Sequence, residues 1–200
     1  MSREGSLDLK VRRGVALTAV EKHGVSSSTL LLFAAIVFIV RAVSLMLGPL
    51  LVALADDFGT SIAVAGQLAA ATFMTWGITA PLVGPISDTY GRRPVLLIGL
   101  LLMALGVLGS GAAWSYSSLL ALRLITGIGS AMVLPTIMAA LADNLPPEKV
   151  GKAIGFITSS SWVGVAVGVP AIALLGYIGG WRLPFYIVGG LSLAVWVPLW

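Results

Sequence analysis

An all-helical membrane protein that crosses the bilayer six times is the fold this sequence predicts, on three observations. Of its 200 residues 58% are hydrophobic and only 10% are charged, and the mean hydropathy is +1.02; soluble domains carry roughly 25% charged residues. The few charges bracket six long apolar stretches. Those stretches lack the two-residue alternation that a membrane β-strand needs. A chain this short has no single core that could hide so much apolar surface from water. A soluble enzyme, a disordered tail and a nucleic-acid-binding module are therefore excluded together. Cysteine is absent, which removes disulfides, thiolate metal sites and a cysteine nucleophile. No metal-ligand cluster, P-loop or catalytic triad is present, so neither an enzyme nor a cofactor is expected.

In chain order, residues 1–28 form a polar tail holding Arg3, Glu4, Asp8, Lys10, Arg12, Arg13, Glu21, Lys22 and the one histidine, His23. The bundle occupies 29–200. A helix needs about 20 mostly apolar residues to cross about 30 Å of hydrocarbon, which places spans at 29–54, 61–83, 94–113, 117–142, 153–176 and 184–200. Span one carries Arg41 and Pro49. Its Ala53-Leu54-Ala55 end looks like a signal-peptidase site, but the apolar run before it is far longer than a signal-peptide core of about 7–15 residues. Span two carries Gln67, Thr72, Thr75, Trp76 and Thr79, which either line a polar path or, for the threonines, bond their own helix. The segment Gly84–Pro94 reads as a tight turn, with Asp88 and Arg92 four apart and able to pair on a helical turn. Span four carries Arg123, Gly127, Gly129 and Pro135. Span five carries Ser160, Gly164 and Gly168 at four-residue spacing, a pattern that lets helices approach closely, followed by Pro170, which is expected to kink the helix.

Basic residues sort by side. The tail, Arg92, Arg93, Lys149 and Lys152 fall on one face, and only Arg182 on the other. The positive face is cytoplasmic, so both termini are expected inside and the protein in the cell membrane. The endings Leu54-Ala55-Asp56 and Leu141-Ala142-Asp143, each preceded by a helix proline, lie on opposite faces. An inverted repeat of three helices plus three produces that arrangement and places binding near the midplane between repeats. Leu and Ala are so abundant here that chance alignment produces it too.

Two arginines lie at membrane depth. Arg41 falls about 18 Å into span one and Arg123 about 9 Å into span four from the other side, at 1.5 Å per residue. A charge at that depth costs at least about 2.5–3.5 kcal/mol and normally faces a partner or a wet cavity. No Asp or Glu lies mid-membrane in the chain. The two are expected to share one aqueous pocket, with Gln67 and Trp76 as further lining and an anionic solute or a missing carboxylate as countercharge. For Arg123 the alternative is a side chain that reaches the outer interface and bonds backbone carbonyls.

The turn Gly84-Pro85-Ile86-Ser87-Asp88-Thr89-Tyr90-Gly91-Arg92-Arg93 resembles the loop between helices two and three of the major facilitator superfamily, G-x-x-x-D-x-x-G-R-[RK], through Gly84, Asp88, Gly91, Arg92 and Arg93. Thr89 stands where the family usually has arginine. Arg123-Leu124-Ile125-Thr126-Gly127-Ile128-Gly129 is similar to the family's fourth-helix pattern. Gly48-Pro49, Asp57-Phe58-Gly59 and Leu145–Lys152 resemble neighbouring family segments. Span five is similar to an antiporter pattern, with Pro170 one residue late and the following glycine pair absent. The resemblance implies the N-terminal six-helix half of a secondary transporter working by alternating access. It implies that helices one and four line the central cavity, and that Asp88 belongs to a cytoplasmic latch docking on a second six-helix half. The expected partners are the lipid bilayer, a small solute, a coupling proton or other ion, and that second half. The alternatives are a non-transporting membrane subunit or regulator, or a half-length unit working as a dimer.

Overall fold

The computed structural model describes residues 26–199; the tail residues 1–25, with His23, lie outside that range. Six helical spans long and apolar enough to cross a membrane run Ser27–Asp57, Ile62–Tyr90, Arg92–Gly111, Tyr116–Asn144, Pro147–Gly179 and Arg182–Leu199. No strand occurs among the described residues.

Local chemistry sets the ends. Ser26, Ser61 and Ser115 cap spans one, two and four, each side chain accepting a hydrogen bond from a backbone N–H three residues on, which satisfies one of the orphan donors of a first turn. Spans two and five end on Gly91 (φ +91°) and Gly180 (φ +74°), a backbone region that favours glycine.

Two spans extend further than expected at the end of the bundle that carries Arg92 and Lys149. Span two stays helical through Tyr90 across Pro81 and Pro85, so the expected turn from Gly84 shrinks to Gly91. Span five begins at Pro147, six residues before the expected start, with Pro147 and Glu148 in its first turn. Apolar length measures the hydrocarbon crossing, and a helix does not have to stop where the lipid does.

Each proline handles its missing N–H differently. Pro49 sits in a 3₁₀ turn, Gly48–Leu50, that divides span one. Pro135 lies within continuous helix. Pro170 follows a π-helical turn over Gly164–Gly168; such single turns recur at functional positions.

The repeats interlock rather than sit side by side. Span two packs on span four, and span five on span one. In the first contact, a Cβ on Gly127 would stand 2.5 Å from Thr72 O; in the second, one on Gly164 would stand 2.7 Å from Phe38 O. Gly129 is as close to span three, where a Cβ would meet Met103 N at 2.4 Å. Gly168 abuts Ala42. Backbones this close are what small residues at membrane helix interfaces permit.

Candidate functional site

A cavity of about 170 Å³ opens where spans one, two, four and five converge, lined by Val37, Val40, Arg41, Ser44, Thr72, Phe73, Trp76, Ser130, Leu134 and Ser161. Arg41 lies fourteen residues after Ser27, and Ser161 fourteen after Pro147. Both helices start on the same side, so both residues reach the same depth, about 21 Å in. Arg41 Nε donates to Ser161 Oγ at 2.8 Å. The glycine seam between spans one and five makes that distance possible. Gly164 sits one turn past Ser161, and a Cβ there would meet Arg41 Cβ at 3.3 Å.

No carboxylate answers Arg41. Among the described residues the ion pairs are Arg92 with Asp88 and Asp143, and Arg182 with Asp57, all at span ends. A buried or half-buried guanidinium without a countercharge carries a large desolvation penalty, and the cavity gives it access to water or to a ligand.

The other hydroxyls of the lining are already committed as donors. Ser44 Oγ donates to Val40 O (2.8 Å), Thr72 Oγ1 to Leu68 O (2.9 Å) and Ser130 Oγ to Gly127 O (3.1 Å). Thr75 likewise bonds Ala71 O and Thr72 O. Each hydroxyl therefore offers its remaining lone pairs to the cavity side. Phe73 and Trp76 form the aromatic wall and are 45% and 37% exposed, so this side of the cavity is open.

The structure does not bring the two arginines into one pocket. Arg123 is fully buried and does not reach the outer interface. Its Nη2 donates to Ser110 Oγ (2.7 Å), Thr126 Oγ1 (3.1 Å) and Gly106 O (3.4 Å), and its Nε to Ser110 Oγ (3.2 Å). Nη1 stands 3.9 Å from Met46 Sδ, and the guanidinium carbon lies 5.1 Å from the centroid of the Phe185 ring. Arg123 thus joins spans one, three, four and six, two helical turns or about 10 Å from Ser130 along the same face of span four, nearer that helix's Tyr116 end than the cavity is. Counting from the expected span ends puts the two arginines at nearly one depth; span four runs on to Asn144, so Arg123 lies about 31 Å from that end while Arg41 lies about 21 Å from the matching end of span one. Gln67 is also outside the cavity lining; it is exposed near the start of span two, its Oε1 3.3 Å from the Tyr116 hydroxyl.

Sequence reasoning missed Ser44, Ser130 and Ser161. Serine has no strong signal in an apolar helix. Ser161 lies three and seven residues before Gly164 and Gly168, on the face that their spacing turns toward span one, and that stripe was the available clue.

At the end of the bundle that carries the Gly84–Arg93 segment, Arg92 Nη2 lies 2.6 Å from Asp88 Oδ1 and Arg92 Nε 3.0 Å from Asp143 Oδ2. Arg92 Nη1 also donates to Ser87 Oγ. Arg93 Nε donates to Leu199 O at 3.1 Å. Gly84 lies within the helix, and a Cβ there would meet nothing within 4 Å. At the opposite end Arg182 Nη1 lies 3.1 Å from Asp57 Oδ2, Nη2 donates to Ala113 O at 3.3 Å, and the guanidinium covers the Trp181 ring at 4.1 Å. Both clusters have one plan. An acid ending the first helix of one repeat holds the arginine just after the glycine-terminated second helix of the other. The outer cluster uses the second acid of Asp56-Asp57, one residue beyond the register of the Leu-Ala-Asp echo.

Comparison with known proteins converges on one family. The Major Facilitator Superfamily model matches residues 31–200. The chain is 28% identical over 186 residues to a probable L-galactonate transporter of Escherichia coli, covering 92% of this chain and 41% of that protein. It is 32% identical over 143 residues to a chloramphenicol resistance protein of Streptomyces lividans, covering 72% of this chain and 36% of that one. A crystal structure of a peptide transporter in complex with sulfate superposes with a TM-score of 0.77 at 13% identity, over 85% of this chain and 36% of the other; at that identity the likeness is one of fold. The chain spans about two fifths of the length of its relatives. From the six spans, the interlocked repeats and a match over 170 of 200 positions, it follows that this integral membrane protein belongs to the Major Facilitator Superfamily of transporters.

Proposed function

We infer that the chain forms one six-helix half of a secondary transporter that carries a small organic anion by alternating access, with Arg41 as the countercharge in the substrate path. One observation carries this reading: a guanidinium at mid-membrane depth, in an open cavity, whose hydrogen-bond partner is a serine and whose surroundings hold no carboxylate. An anion bound there neutralises a charge that otherwise costs several kcal/mol to keep in low dielectric. Trp76 belongs to the same path. Arg123, closed off from the cavity, acts as a strut of the half.

The transported solute differs between relatives, so its class is argued from the cavity rather than from their names. A single carboxylate is the group that a lone arginine fits. Spans two and five have only 17% of their core windows buried, and their open faces support docking of a second half across the cavity. The half as a whole, 29–200, then rocks against it, with both termini cytoplasmic and a proton or other ion supplying the driving force.

Flux in proteoliposomes tests the proposal. The native protein should move a radiolabelled organic acid down an imposed ion gradient, and Arg41→Ala should lower that flux at least about tenfold, the equivalent of 1.4 kcal/mol, at unchanged expression. Normal flux in the variant would remove Arg41 from the path.

A further inference from the structure

We propose that the Arg41 cavity selects monocarboxylates bearing an apolar or aromatic body and a hydroxyl donor. This rests on the reading of that cavity as the substrate site and adds the chemical class it takes.

The polar groups of the cavity fall into two sets by their hydrogen-bonding role. In one, Arg41 uses Nε on Ser161 Oγ, which leaves the two terminal nitrogens as donors. Ser161 accepts that bond, so its own proton is available as a donor. The donors of this set, with the planar fork of the guanidinium, match a carboxylate. A single cation with no acid beside it is neutralised by one negative charge, which favours a monoanion over a dianion or a cation.

In the other set, the hydroxyls of Ser44, Thr72 and Ser130 each spend their proton on a carbonyl of their own helix. Acceptor lone pairs are what they have left, so this set recognises a donor, and a ligand hydroxyl supplies one. A second carboxylate there would meet lone pairs and be repelled. The rest of the lining is Val37, Val40, Phe73, Trp76 and Leu134, which suits a ring or a short hydrocarbon and gives nothing to a heavily hydrated body.

Four probes of similar size separate these elements: benzoate, 3-hydroxybenzoate, benzyl alcohol and benzylamine, titrated calorimetrically into the purified protein. Benzoate should bind at least about tenfold more tightly than benzyl alcohol or benzylamine. The added hydroxyl of 3-hydroxybenzoate should gain about fivefold, the worth of one net hydrogen bond. Arg41→Gln should abolish the preference for benzoate over benzyl alcohol. Thr72→Val, which keeps the shape, should reduce the gain from the hydroxyl while leaving benzoate affinity unchanged. Circular dichroism and gel filtration confirm that each variant is folded.

Equal binding of the alcohol or the amine, a carboxylate preference surviving in Arg41→Gln, or no binding at millimolar concentration overturns the proposal. Flux separates it from the transport reading. Carboxylates that bind through Arg41 without crossing the membrane leave the ligand class standing and remove transport. Arg41-dependent flux of a hydrophilic organic acid or a dianion, without binding or flux of benzoate, does the reverse.

Discussion

Arg41 and Arg123 carry the same charge at membrane depth, and the structure predicts opposite phenotypes for them. Arg41 borders a cavity and bonds one serine, so Arg41→Ala should abolish flux and leave the melting temperature in detergent nearly unchanged. Arg123 is enclosed by four spans. Arg123→Ala leaves a void and should destabilise by about 2–5 kcal/mol, whereas Arg123→Met, an apolar chain of similar length, should keep the fold, because a buried charge is often replaced without loss by well-packed apolar volume. Thermal unfolding of the two variants checks this; equal loss in both would mean that the charge itself is needed. Gly164→Ala places a methyl 2.7 Å from Phe38 O. It should separate spans one and five, at about 1–3 kcal/mol, and weaken carboxylate binding because the Arg41–Ser161 bond lengthens. That both arginines lie within membrane spans was legible in the sequence from residue counts alone. Their separation was not, because it depends on where each helix ends and on which helix lies opposite.

At the scale of elements, six apolar stretches between charges were sufficient to find six helices. The extensions of spans two and five were missed because Ser87–Tyr90 and Pro147–Lys152 are polar, so hydropathy carries no sign that they are helical. The echo of Leu-Ala-Asp gains physical content in the two clusters, Asp143–Arg92 at one end of the bundle and Asp57–Arg182 at the other. Their members are partly exposed, and exposed pairs contribute only about 0–1 kcal/mol, so Asp57→Asn should barely move the melting temperature. It should instead accelerate amide hydrogen exchange around 57–62 and 180–184. The double variant Asp57→Arg with Arg182→Asp should restore protection, and added salt should erode it in the native protein. Unchanged exchange in Asp57→Asn would show that the outer pair holds nothing in place.

At the scale of the whole molecule, the absence of cysteine makes single-cysteine labelling clean. With both termini inside, Thr89→Cys should react with a membrane-impermeant maleimide only from the cytoplasmic face, and Ser117→Cys only from the outer face. Ser44→Cys should be reachable through the cavity, while Ser110→Cys, beside Arg123 and 0% exposed, should stay unlabelled until the protein is denatured. Labelling of Ser110→Cys in the native state would show that water reaches Arg123. The family was legible from the Gly84–Arg93 segment, while the cavity chemistry was not, because it depends on four helices meeting at one depth.

Because each repeat grips the turn of the other at opposite ends, the six rods are strapped crosswise like the frame of a folding chair locked open. Under the proposed alternating access, a half tied at both ends, some thirty ångströms apart by the thickness of the hydrocarbon, is expected to tilt as one body, one mouth opening as the other closes.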